Sequence, residues 1–343
     1  MSGSLNSDLD AVLELTKSLW PELRGARIFI TGGTGFMGCW LLDSLLHANR
    51  HFNLDIKAVV LTRDPAAFTR KFPHLAQASA IQLVQGNVLC FPEIKGKFTH
   101  LIHSATDPTV TLLEANPLLM FDTIVTGTRN ALEFAKVKSV QHALFLSSGA
   151  IYGRQPPELE YLSEDWNGAP HCTEPRAVYA EGKRAAEALC SMFARQHGVP
   201  VSIARCFAFL GPYLSLDIHY AIGNFIRDAM AGGPIHVRGD GTPLRSYLYA
   251  TDLTAWLWHL LLRGAPGVPY NVGSEEALSI AELAAEVGRV LGGIPFQVHG
   301  QGSPSLKPER YVPSTQRIRS SFGLTQTVSL EEGIRRTAAW HAG

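Results

Sequence analysis

The sequence predicts an α/β fold: a doubly wound parallel Rossmann sheet with a smaller C-terminal substrate-binding lobe. Three observations predict it. Short β-branched or aromatic runs alternate with helical periodicities between residues 27 and 206, the pattern of right-handed βαβ crossovers. A glycine-spaced turn joins the first such run to its helix. Beyond residue 206 the alternation becomes irregular, broken by turns at Gly211-Pro212, Gly232-Gly233-Pro234 and Gly239-Asp240-Gly241.

The elements follow in order. Leu5, Leu9, Val12, Leu13 and Leu19 recur at helical spacing over residues 5–23, with an end near Pro21; this predicts an N-terminal helix packed on the main fold. Strands are expected at 27–31, 56–62, 81–84, 99–104, 142–148 and 200–206, and helices near 37–49, 112–137 and 178–197. Residues 154–175 are rich in Pro, Glu and Gly and predict a long loop over the strand ends. The domain division expected is 1–24 as a helical extension, 25–206 plus 238–264 as the dinucleotide-binding domain, and 207–237 plus 265–343 as the substrate-binding lobe.

The first turn carries the most chemistry. Ile28 to Ile30 read as a buried strand, Gly32, Gly35 and Gly38 follow at three-residue spacing, and Trp40 to Leu46 read as an amphipathic helix. Gly32 permits the turn, Gly35 lets the backbone approach a pyrophosphate at the helix N-terminus, and Gly38 lets helix pack closely on strand.

Bulk properties narrow the function. The 343 residues can bury a large core, and 30 basic residues balance 30 acidic ones, so nucleic acid is not the expected partner. Asp8, Asp10 and Glu14 make residues 1–24 unlike a secretory signal. The apolar stretch from Ala255 to Leu262 contains His259 and is too short to span a bilayer. No membrane association and a cytoplasmic location are expected. Cys39, Cys90, Cys172, Cys190 and Cys206 are scattered and odd in number, as in a reducing compartment. His100 and His103 point to opposite faces of a strand, and no metal site is expected.

Tyr179 and Lys183 stand four apart in a helical segment, so both project from one face. A phenol loses its proton near pH ~10. A neighbouring cation lowers that by roughly 1–3 pH units, which suits the phenol to proton exchange in an alcohol–ketone interconversion.

Together these motifs resemble the short-chain dehydrogenase/reductase superfamily, extended branch. Leu101-Ile102-His103-Ser104-Ala105 resembles its fourth-strand cofactor motif, and Ser147 to Gly153 the strand that delivers a catalytic Ser or Thr. Ala204 to Pro212 is similar to the entry into the substrate lobe. Arg238 to Asp252, Tyr270-Asn271-Val272-Gly273 and Ser329 to Gly333 resemble segments of nucleotide-sugar epimerases, dehydratases and reductases. The resemblance runs from about residue 25 to the C-terminus.

What the resemblance implies is specific by position. Ser148 bonds the reacting sugar oxygen, Tyr179 exchanges the proton, and Lys183 holds the nicotinamide ribose and lowers the phenol's pKa. The cofactor site comprises Gly32, Gly35, Phe36, Met37, Gly38, Thr62, Arg63, Asn87, Val88, Ser104, Ala105 and Thr106, with Tyr179 and Lys183. Arg245 clamps the substrate diphosphate with a planar, permanently charged fork. Asn224, His219 and Ala208 face the substrate. A homodimer pairing the Tyr/Lys helix with the helix from Leu112 to Val137 is also implied.

Two departures matter. Nucleotide-sugar 4,6-dehydratases carry Asp-Glu after the catalytic Ser/Thr; here the places hold Gly149 and Ala150, which can neither protonate a leaving hydroxyl nor remove a proton. An enzyme resembling GDP-fucose synthase carries Cys at the second place, which Ala150 does not replace. Substitute acids would have to come from Glu164, Asp165, His171, Asp217 or His219. Ala208 stands where many relatives have an Asn that touches the sugar, which leaves His219 as the leading compensating contact.

Thr62 takes the place where NAD-preferring relatives are acidic, and Arg63 beside it can pair with a 2′-phosphate. NADP is therefore favoured, with NAD open through Asp64. The function implied is hydride transfer at a carbon, C4, of a nucleotide-diphosphate sugar, as a 4-keto reductase or 4-epimerase. The alternatives are a 4,6-dehydratase with unusual acids and a non-catalytic dinucleotide sensor, which would have no need of the full Ser/Tyr/Lys set.

Overall fold

The computed structural model describes residues 3–106, 110–217, 220–302 and 307–343. Helix α1 (Gly3–Thr16) leads into β1 (Arg27–Thr31), α2 (Phe36–Phe52) and β2 (Lys57–Thr62). Short helices α3 (Pro65–Lys71) and α4 (Pro73–Ala76) precede β3 (Ile81–Gln85) and β4 (His100–His103). Next come α5 (Val110–Ala115), α6 (Pro117–Lys138), β5 (His142–Ser148), α7 (Val178–His197) and β6 (Val201–Cys206). The remainder contains β7 (Phe209–Leu210), α8 (Ala221–Met230), β8 (Ile235–Val237), β9 (Leu244–Arg245), β10 (Leu248–Tyr249) and α9 (Ala250–Arg263). It closes with β11 (Pro269–Val272), β12 (Leu278–Ser279), α10 (Ile280–Val290), β13 (Phe296–Val298), β14 (Arg310–Tyr311), α11 (Gln316–Phe322) and α12 (Leu330–Ala342).

Seven strands form one parallel sheet in the order β11-β6-β5-β4-β1-β2-β3. The chain order reverses beside β1, which pairs with β2 on one side and β4 on the other. In doubly wound sheets the crevice at the carboxyl ends of such a pair is where ligands bind. Ile28 and Ile30 enter one hydrophobic core and Phe29 the other, because successive strand side chains alternate faces. With helices on both faces the strand reads as a continuous apolar run. A third core joins Ile222, Phe225 and Ile226 of α8 to Ile235, Val237, Leu283 and Val287.

Two expected helices break. The one expected over 5–23 ends at Thr16, and Trp20–Leu23 forms a 3-10 turn with Pro21 in its first turn. The one expected over 112–137 is interrupted at Asn116 (φ −154°), whose side chain accepts from Leu119 N and caps α6. The residue before a proline is driven out of the helical region, and Asn is a strong N-cap. Helix α1 is fastened by its buried Asp8, which accepts from Tyr249 Oη and Arg336 Nη1, both at 2.6 Å. Among the described residues no helix is long and apolar enough to cross a membrane.

Candidate active site

The glycine turn is built for close approach. Gly32 has φ +72°, and a Cβ there would meet Ala105 N at 2.6 Å. A Cβ on Gly38 would stand 2.4 Å from Gly33 Cα. Gly35 precedes α2, and a Cβ there would find only Gly32 O, at 3.6 Å. The first amides of α2 thus open onto an uncrowded turn, an anion site by geometry and dipole. Phe36 and Met37 form the first turn of α2, half-buried against the core.

The opposite wall comes from β4. Ser104 Oγ donates to Thr31 O at 2.8 Å. His103 bridges Thr31 Oγ1 at 2.6 Å and Thr128 Oγ1 at 3.0 Å. Burial pulls its pKa down to about 3, so a neutral imidazole locks the two hydroxyls. Thr106 Oγ1 is buried and finds no partner among the described residues. An orphaned hydroxyl beside a glycine cradle and a helix N-terminus is a donor set that fits a dinucleotide.

At the end of β2, Thr62 is buried and Arg63 exposed. Asp64 accepts from Ala67 N at 2.8 Å as the N-cap of α3, with its carboxylate exposed. Asn87 is exposed and accepts from Leu89 N at 3.0 Å. Val88 is buried against Gly127, where a Cβ would lie 2.9 Å from its methyl.

Ser148 ends β5, and its Oγ accepts from Ala150 N at 3.1 Å. Tyr179 lies in the first turn of α7, and its phenol is beside the Ser148 side chain. Lys183, one turn on, is buried and donates to Leu146 O at 2.7 Å. Its ammonium stands 4.9 Å from the Phe145 ring centroid and 6.0 Å from that of Tyr179. Burial draws its pKa down to about 8. The expected lowering of the tyrosine by this cation is not what the structure gives. Burial pushes the Tyr179 phenol up, and the neighbouring Ser148 side chain pulls it only part of the way back. Desolvation of the phenolate is the larger effect, so at neutral pH the phenol keeps its proton.

Behind this trio lies a buried network the sequence did not disclose. Ser147 Oγ donates to Glu187 Oε1 at 2.5 Å. Arg205 forks onto both Glu187 oxygens at 2.7–3.2 Å. Arg205 Nη1 also donates to Tyr152 Oη at 2.8 Å, and Tyr152 donates to Asn271 Oδ1 at 2.8 Å. Tyr179, Lys183 and Glu187 form one i, i+4, i+8 stripe on α7, the signal that could have found the network.

The substrate residues are less concentrated. Arg245 Nη1 donates to Leu244 O at 2.9 Å, and Nη2 is 3.7 Å from the Glu309 carboxylate. Asn224 borders a cleft of about 590 Å³ shared with Arg227, His236, Arg238 and His299. Arg245 and Ala208 do not line it; Ala208 O accepts from Leu248 N at 3.0 Å. His219 lies outside the described residues.

Four of the five substitute acids have partners among the described residues. Glu164 accepts from Asn271 N at 2.8 Å, Asp165 pairs with Arg317 at 2.5 Å, His171 bonds Thr173 at 2.9 Å, and Asp217 pairs with Arg227 at 3.6 Å. At Gly149 a Cβ would lie 2.6 Å from the Phe207 ring and 2.7 Å from Tyr311 Oη. Tyr311, which the sequence did not single out, is beside Ser148 as well.

One group of metal-ligating types stands apart. The sequence reading finds no ligand spacing among the histidines, yet His47 and His51 are one turn apart on α2, and with Asp10 they bring three ligand atoms within 4.8 Å of one another. His47 Nε2 is 2.6 Å from Asp10 Oδ1, and Arg50 Nη2 is 3.3 Å from His47 Nδ1. A guanidinium only donates, so Nδ1 accepts and Nε2 carries the proton given to Asp10. In this arrangement the group is a hydrogen-bonded clasp between α1 and α2.

Fold and site define an extended short-chain dehydrogenase/reductase with a Rossmann domain. Residues 28–273 match the model of the NAD dependent epimerase/dehydratase family, and the chain belongs to that family. UDP-glucuronic acid decarboxylase 1 of Xenopus tropicalis is 30% identical over 316 residues, 91% of this chain and 71% of that protein. An epimerase of known structure from Methanothermobacter thermautotrophicus shares the fold with a TM-score of 0.78 at 21% identity, covering 96% of each chain. A dTDP-glucose 4,6-dehydratase from Streptomyces venezuelae, solved with NAD and TYD, does so with a TM-score of 0.77 at 23% identity, covering 92% of this chain and 97% of that one.

Proposed function

We propose that this chain is an NAD(P)-dependent oxidoreductase of a nucleotide-diphosphate sugar, acting by hydride transfer at C4 as a 4-keto reductase or a 4-epimerase. One observation carries the reading. Ser148 and Tyr179 stand side by side next to buried Lys183, while Gly149 and Ala150 supply no carboxyl and Phe207 and Tyr311 fill the notch at 149. A phenol and a hydroxyl can exchange one proton with a sugar oxygen; elimination of a neighbouring hydroxyl asks for more.

The glycine cradle and the α2 amides would hold the pyrophosphate, Thr62 and Arg63 the adenosine ribose, and Lys183 the nicotinamide ribose. When bound, the nicotinamide supplies the hydride acceptor and donor. Ser148 orients the reacting oxygen, and Tyr179 holds its proton on the phenol oxygen. Arg245 would take the diphosphate, and Asn224 would face the nucleoside end in the cleft of the smaller lobe.

Incubation with UDP-, dTDP-, GDP- and CDP-sugars, their 4-keto forms and both cofactors, followed by NMR, should show one turned over. Turnover of a free ketone or alcohol with none of these would sink the assignment. The 30% identity to a UDP-glucuronic acid decarboxylase supports a second reading. Oxidation at C4 of a hexuronate makes a β-keto acid, which sheds CO2 without a protein carboxyl. UDP-glucuronate therefore belongs in the panel, with CO2 release as its readout.

Arg63, exposed at the end of β2, is the group that would pair with a 2′-phosphate. Arg63→Ala should weaken NADP binding by roughly 10–100-fold in titration calorimetry, as loss of a charged hydrogen bond does, and leave NAD unchanged. Equal losses for both would count against a 2′-phosphate contact.

A further inference from the structure

The reaction centre holds a second phenol. Tyr311 lies on β14, whose parallel pairing with β9 sets it in register with Arg245. Its ring packs on Phe207, centroids 4.6 Å apart and planes 34° apart. The following residue is clamped from both sides: Val312 N donates to Gln155 Oε1 at 3.0 Å, and Val312 O accepts from Leu162 N at 2.9 Å. The phenol is thus fixed by backbone on a segment far in sequence from the Ser/Tyr/Lys set.

Its oxygen stands where position 149 would carry a side chain, 2.7 Å from an ideal Cβ. Glycine at 149 is the condition for this arrangement, because any larger residue would displace either Tyr311 or Phe207. We infer that Tyr311 is a positioning residue of the reaction centre, its phenol taking the space vacated at Gly149 and fixing the direction of the Ser148 hydroxyl. This deepens the oxidoreductase reading and rests on it for the meaning of the rate effects below.

The hydrogen-bond inventory of Ser148 gives the mechanism. A serine hydroxyl offers one donor and two lone pairs. One lone pair is taken by Ala150 N. The remaining donor and lone pair are the ones that the two neighbouring phenols, Tyr179 and Tyr311, would take on this proposal, Tyr311 from its place at Gly149. With Tyr311 donating to Ser148, the serine proton points at Tyr179 oxygen or at a substrate oxygen beside it. The chain Tyr311 to Ser148 to Tyr179 then stabilises the phenolate that remains after Tyr179 gives up its proton, since linked donors polarise one another. Without the Tyr311 hydroxyl, Ser148 is free to rotate.

Tyr311→Phe removes one oxygen and keeps the ring on Phe207. On the nucleotide sugar that the wild type turns over, kcat should fall about tenfold, the worth of one neutral hydrogen bond, with KM unchanged. The limb of the pH–rate profile set by Tyr179 should move to higher pH, because its phenolate has lost a polarising donor. A purely packing role would leave that limb in place. In a Ser148→Ala background the same substitution should change nothing further, because Tyr311 acts through Ser148.

The second readout needs no turnover. In protein labelled with 13Cζ-tyrosine, the Tyr179 resonance should shift in Tyr311→Phe and should not shift on adding that substitution to Ser148→Ala. A wild type inactive on every nucleotide sugar but showing this coupled shift would sink the functional reading and keep the placement of Tyr311. An unmoved Tyr179 resonance overturns the placement, whatever the wild type does.

Discussion

Tyr179→Phe should lower kcat by about 10²–10⁴-fold, the range for removing a positioned general acid or base, with dinucleotide affinity unchanged. The substitution deletes the phenol oxygen beside Ser148 and leaves the ring in place on the Ala186/Phe145 side of the sheet core. The phenylalanine ring therefore still supports α7, and Lys183 still reaches Leu146 O. Burial holds the wild-type phenol protonated at neutral pH, so the reduction direction, in which an oxygen must gain a proton, should lose most. Fluorescence titration of the cofactor and steady-state kinetics separate the two quantities. A variant that keeps wild-type turnover would remove Tyr179 from the chemistry and favour a dinucleotide-binding role without catalysis. Loss of both turnover and cofactor binding would mean that the phenol serves the binding site itself.

What the sequence disclosed of this site has a common physical form. Gly32, Gly35 and Gly38 are legible because a turn at a strand end needs positive φ and close packing, both local demands. Tyr179 and Lys183 are legible because helical spacing alone puts them on one face. Glu187 continues that stripe and was open to the same argument. The break at Asn116-Pro117 was written in the dipeptide, as was Asp64-Pro65, a cap followed by proline at the first helical position. Tyr311 was not legible. Its place follows from the pairing of two-residue strands β9 and β14 and from a missing Cβ more than 160 residues earlier, positions 149 and 311. The direction of the Tyr179 shift was hidden for a related reason: adjacency of a cation can be read from spacing, while desolvation depends on everything packed around the phenol.

Glu187→Ala should cost about 3–5 kcal/mol of folding stability, the range for removing one partner of a buried ion pair. The Arg205 and Glu187 side chains are only 11% and 10% exposed, so solvent screens the pair little. Without the carboxylate, Arg205 keeps one hydrogen bond to Tyr152 and one to Glu164 O, both to uncharged oxygens, and its charge stays buried without a directly paired carboxylate. Ser147 Oγ loses its acceptor at the same time. Because Ser147 adjoins Ser148 on β5, the loss should also reach kcat. Denaturant unfolding tests the stability claim, and a second variant separates charge from packing. Glu187→Ala combined with Arg205→Leu should be more stable than Glu187→Ala alone, since it removes the stranded charge. If the single substitution costs less than about 1 kcal/mol, the level of an exposed pair, the network is not what holds α7 to β6. If the double variant is no better than the single one, lost packing and not stranded charge is the cause. The stripe Tyr179, Lys183, Glu187 gives one helix face two tasks, proton exchange at its N-terminal end and an ion-paired anchor two turns on, so rigidity of the anchor sets how accurately the phenol meets Ser148.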